Sequence, residues 1–94
     1  MTYYKMTKYT LLGFNRAANQ TKKYDAILQN RLTERTVRVP FGQRGYQQYK
    51  DKIGYYSDFD HYDKIRRRSF LARNENNIKS GYFSPGYFSA TYLW

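Results

Sequence analysis

From residue 36 to residue 42 the chain reads TVRVPFG, with Val37, Val39 and Phe41 at every second position. A side-chain period of two marks a strand with one buried face. Residues 22–29, KKYDAILQ, alternate in the same way: Tyr24, Ala26 and Leu28 point to one side, and Lys23, Asp25, Ile27 and Gln29 to the other. The polar connection between them, NRLTER, has the length of a hairpin loop. Residues 9–14 are rich in strand formers and lead into a loop-like stretch at 15–20. Together these segments predict a three-stranded antiparallel meander. Pro40 cannot donate to a sheet ladder, so it places the last strand at an edge or lies at its end.

Such a sheet needs an apolar layer on its inner face, and aliphatic side chains are scarce. The chain instead holds 12 Tyr, 6 Phe and 1 Trp in 94 residues, so rings must build much of the core. Tyrosine suits this use because it buries an apolar face and keeps a hydroxyl at its edge. The predicted core is Phe14, Tyr24, Leu28, Val37, Val39, Phe41, Ile65, Phe88, Tyr92 and Trp94.

The second half reads as helical. Gly42 and Gly45 punctuate a turn, residues 46–52 suit a short helix ending at Gly54, and residues 55–60 form a loop. Asp58 or Asp60 then caps a basic helix reaching about residue 76, with Asp63 and Arg67 as an i,i+4 pair. On its wheel Tyr62, Ile65, Ser69 and Ala72 share a face with Phe70 at the margin, while Arg66 and Arg73 border that stripe. Ser84-Pro85 is a helix-start signal, and the rings after it, Phe88 with Tyr92 and Tyr87 with Trp94, follow helical spacing. Residues 85–94 are therefore expected as a short aromatic helix docked on the sheet. The repeated GYFS at 81–84 and 86–89 matches neither a helical nor a strand period.

The whole is an α+β domain spanning residues 1–94, with residues 1–8 as a candidate flexible arm. A chain of this size buries about two-thirds of its unfolded surface, enough for a modest core. The absence of cysteine excludes disulfides and thiolate metal sites. No apolar run approaches the length of a membrane span, and the N-terminal residues lack an apolar signal core, so neither a membrane nor secretion is expected.

The order KKYD (22–25), VRVPFG (37–42), GYQQY (45–49), RRRSFLARN (66–74) and GYFS…YLW (86–94) resembles a family of short uncharacterised proteins. These are encoded by large double-stranded DNA viruses, notably of algae, and by some bacteriophages. In that family a hairpin ending in a Phe-Gly turn precedes a basic helix and a terminal aromatic segment ending in Leu-Trp. This chain departs from the pattern in its tyrosine-rich, acidic stretch around 52–60 and in having Asn74 where the family favours histidine. The resemblance implies a viral or phage origin and a place inside the infected host. It implies no particular biochemical activity.

Catalysis finds little support in the residues. His61 is the single histidine and no serine sits in a nucleophile elbow. Asp58, Asp60 and Asp63 near a helix start are explained by capping and the helix dipole, and their spacing with His61 matches no metal loop. Tyr62 near Arg66 is a conceivable nucleophile pair, but 12 tyrosines make such proximity common by chance. Gly42 and Gly45 lack the Lys-Ser/Thr of a phosphate loop. No enzyme and no cofactor are expected.

Charge carries the positive expectation. Lys and Arg number 17 against 7 acids, a net +10, and four of the acids (Asp51, Asp58, Asp60, Asp63) crowd into residues 51–63 as one acidic rim. That excess goes beyond what solubility needs. Arg66, Arg67, Arg68 and Arg73 on the helix, with Lys22, Lys23 and Arg38 on the hairpin, are the candidate phosphate contacts of a nucleic-acid-binding protein. The competing expectation is a virion structural or scaffold protein that docks on acidic protein surfaces. Its candidate anchors are Tyr3, Tyr4, Tyr55 and Tyr56. An inhibitor that mimics nucleic acid would be acidic, which this chain is not.

Overall fold

Cross-strand pairing explains why the ring-rich strands share one inner face. The computed structural model describes residues 4–94, so Tyr3 lies outside the described residues. Strands β1 (Tyr9–Arg16), β2 (Lys22–Asn30) and β3 (Thr36–Gln43) pair antiparallel in the order β1-β2-β3. The register sets Phe14 and Val39 opposite Ala26, Leu11 and Val37 opposite Leu28, and Phe41 opposite Tyr24. Tyr24, Ala26, Leu28, Val39 and Phe41 are buried, as the alternation predicts. Pro40 sits inside β3, which is an edge strand, so its missing donor faces no partner. A register shift between Leu11 and Gly13 drops Leu12 out of the ladder and leaves it exposed.

Three helices follow: α1 (Lys64–Arg73), α2 (Glu75–Lys79) and α3 (Pro85–Tyr92). Ser84 caps α3 by accepting from the Tyr87 amide at 3.1 Å, with Pro85 in the first turn. This helix closes the core. Phe88 is fully buried, 5.4 Å from the Phe41 ring and 6.1 Å from Phe14, and Tyr92 meets Phe14 edge-on at 4.6 Å. Each such ring removed from water contributes about 1.5–3 kcal/mol of transfer free energy. Leu93 is buried beside them, while Trp94 is only half-buried and turns toward α1. Residues 4–8 are held to the fold: Phe83 N–H donates to the Tyr4 carbonyl at 2.8 Å, and Met6 N–H to that of Gly81 at 3.0 Å.

Several expectations change. Residues 46–52 form no helix; they run irregularly, and Gln48 makes a parallel bridge to Asp60. The physical reason is a buried polar network that draws the segment inward. The Gln48 amide donates to Asp60 Oδ1 and to the Tyr56 carbonyl, both at 2.7 Å, and Asp60 also accepts from Asp51 N–H. Asp51 in turn accepts from the Tyr24 hydroxyl and from the amides of Ile53, Gly54 and Tyr56. The acidic rim is therefore partly interior, with Asp51 only 5% exposed.

The basic helix is also shorter than expected. Asp63 caps it, accepting from the amides of Ile65 and Arg66, because Asp60 is already engaged and Asp58 lies in a 3-10 turn at Ser57–Phe59. The cap occupies the carboxylate expected to pair with Arg67. Asn74 interrupts the helix before α2, its side chain donating to the Phe70 carbonyl. Finally, Ile65 is 77% exposed and no residue of α1 is buried, so the expected core contact does not form.

Candidate nucleic-acid interface

Helix α1 is moored by one end of the chain and leaves a cleft beneath it. Phe70 stacks on Trp94 at 4.3 Å with the rings 6° from parallel, and His61 lies 5.1 Å from the same indole. Arg67 Nε donates to the Trp94 carbonyl at 2.8 Å, and its guanidinium sits 5.1 Å from the Tyr49 ring. These contacts hold the helix by its Arg67–Phe70 edge. Its Ile65, Arg66, Ser69 and Arg73 side faces the ends of β2 and β3 across a cleft of about 480 Å³. That is the scale of a small-molecule or single-residue binding site.

The opposite wall is Tyr46, Gln47, Gln48 and Gln43, with Lys23 and Gly42 also lining the cleft and Leu93 and Trp94 closing one end. None of the described residues that line it is acidic. Arg66 is steadied across the opening, where its Nη1 donates to Gln47 Oε1 at 2.9 Å. Arg68 and Arg73 are exposed on α1, with no side-chain partner among the described residues.

The other expected contacts separate into different roles. Lys23, expected on the outer face, is 2% exposed and donates to the Tyr46 carbonyl at 2.6 Å and to Gln48 Oε1. The strand alternation points it outward, but the segment after β3 folds over it. Burial lowers its pKa, against the opposing pull of Asp51 and Asp60. Lys23 thus pins the cleft wall from inside and is no surface phosphate contact. Arg67 is likewise spent on mooring α1. Lys22 is half-buried and pairs with Gln43, at the edge of the cleft. Arg38 is exposed but lies roughly 14 Å along β3 from Gly42, and its guanidinium is 3.9 Å from buried Asp25.

Of the tyrosines expected to face a partner, Tyr4 meets Tyr9 edge-on at 5.0 Å and packs on the core. Tyr56 does the same with Tyr24 at 5.3 Å, and its hydroxyl is buried without a hydrogen-bond partner among the described residues. Among the described ones Tyr55 alone projects, 70% exposed, with the Arg16 guanidinium 5.6 Å from its ring centre.

Sequence reasoning set Arg66 and Arg73 beside the Ser69–Phe70 stripe of the basic helix by helical spacing, but expected Ile65 on that side to enter the core rather than to line a cleft. It missed Tyr46 and Gln47, which face α1 only because the network around Asp51 and Asp60 folds a distant, irregular segment into place. No protein-family model, curated protein or solved structure matches this chain. No described helix is long and apolar enough to cross a membrane.

Proposed function

We propose that this is a non-catalytic nucleic-acid-binding protein that engages phosphates through α1. The observation that supports the reading most is the cleft walled by Arg66 and Arg73, with no acidic side chain among the described residues that line it. Arg68 extends the cationic surface along the helix, and Lys22 extends it beyond Gln43. A phosphate chain laid along this surface meets the free guanidinium groups of Arg68 and Arg73 and the remaining donors of Arg66 beside its bond to Gln47, and each contact releases condensed counterions. In line with the resemblance to viral and phage proteins, its place of action is the infected host cell.

The test is a binding titration against random-sequence oligonucleotides at low and at physiological salt. The affinity should fall steeply with salt. Replacing Arg66, Arg68 and Arg73 together by Gln should reduce the logarithmic salt slope by about 2–3. Absence of binding at low salt would contradict the reading. It would favour instead the docking of acidic protein surfaces, for which the exposed Tyr55–Arg16 pair is the available anchor.

A further inference from the structure

The cleft combines two chemistries that a phosphate backbone alone does not require. Tyr46 lines it and is 66% exposed, and no other ring or cation lies against its face among the described residues. Its main chain is nevertheless fixed, because its carbonyl accepts from Lys23 Nζ at 2.6 Å and its N–H donates to the Gln43 carbonyl at 3.3 Å. The ring is thus presented from an anchored backbone. Ile65, 77% exposed, adds an apolar surface in the same cleft. Phe70 and Trp94 are already stacked on each other.

Arg66 and Arg73 lie seven residues apart on α1, about 10 Å along its axis. We infer that the cleft takes one unpaired base of a single strand, stacked on Tyr46, while Arg66 and Arg73 hold phosphates on either side of it. This deepens the proposed nucleic-acid binding and rests on it. A base within a duplex is stacked between its neighbours and cannot enter a cleft sideways, whereas a base of a single strand has a free face. Aromatic stacking tolerates any base, so the preference is for strandedness rather than sequence.

The experiment compares oligothymidine, about a dozen nucleotides long, with the matching duplex by fluorescence anisotropy. The single strand should bind about tenfold tighter or more at equal salt. Y46A should weaken single-strand binding by about tenfold while leaving duplex binding and the salt slope unchanged. Y46W should retain affinity, and a thermal melt of each variant checks that the fold is intact. Replacing Arg66 and Arg73 by Gln should lower the single-strand slope by about 1.4. Equal affinity for duplex with a silent Y46A overturns the inference and leaves phosphate binding standing. Failure of both nucleic acids to bind at low salt overturns both.

Discussion

Gly42 and Glu34 both have positive φ, 77° and 63°, and their surroundings give that fact opposite consequences. A side chain at Gly42 would start 2.9 Å from Leu93 Cδ1 and 3.2 Å from Lys23 Cβ, inside the packed end of the hairpin. Glu34 is exposed in the β2–β3 loop, where Asn30 accepts from the amides of Leu32 and Thr33 and fixes the turn. Glu34→Gly should therefore stabilise the fold by about 1 kcal/mol, by relieving left-handed backbone at no loss of contact. Gly42→Ala should destabilise it by about 2 kcal/mol, combining backbone strain with overpacking. Urea denaturation of both variants measures the contrast. Gly42 was legible as a turn residue. Its closeness to Leu93 was not, because 51 positions of chain separate the two.

Helix α1 is the element on which the cleft depends, and its start is built around His61. The Asp63 amide donates to His61 Nδ1 at 2.8 Å, while the Asp63 carboxylate caps the helix. Burial is the main cause of a lowered His61 pKa and Arg66 adds to it, with Asp63 and Asp60 acting the other way. A protonated imidazole donates from both nitrogens, so it can no longer accept from Asp63. Because the folded-state pKa is depressed, the folded form binds fewer protons. The contribution is present above the ordinary value of 6.5 and is lost as pH falls through the lower folded value. Stability should thus decline on acidification from about pH 7 to pH 5. His61→Gln should flatten that part of the profile, read by the fluorescence of Trp94 beside it. A profile identical in both proteins would detach His61 from the helix start. The meander and α3 were readable because alternation, a Ser-Pro cap and ring spacing are local signals. Residues 46–63 were not, since their conformation is set by side chains that meet across the chain, notably Lys23 with Gln48 and Tyr24 with Asp51.

At the scale of the whole molecule, a net charge of +10 is carried by a body of 41 × 26 × 21 Å whose interior is largely rings. Using the rings inside leaves Tyr46 and Tyr55 among the few with an open surface, and Tyr46 shares its cleft with Arg66 and the unpartnered Arg73. The α+β architecture could be read from the sequence, and so could the cationic helix. Which of the basic residues are free could not: Arg67 on the helix and Lys23 on β2 look like their neighbours until Trp94, Gln48 and the Tyr46 carbonyl claim them. The most direct test of the account is amide chemical-shift mapping with a short single-stranded oligonucleotide at low salt. The account predicts the largest shifts at Gly42, Tyr46, Gln47, Ser69 and Arg73. Shifts concentrated instead around Ile27 and Arg38 on the outer sheet face, or none at all, would contradict it.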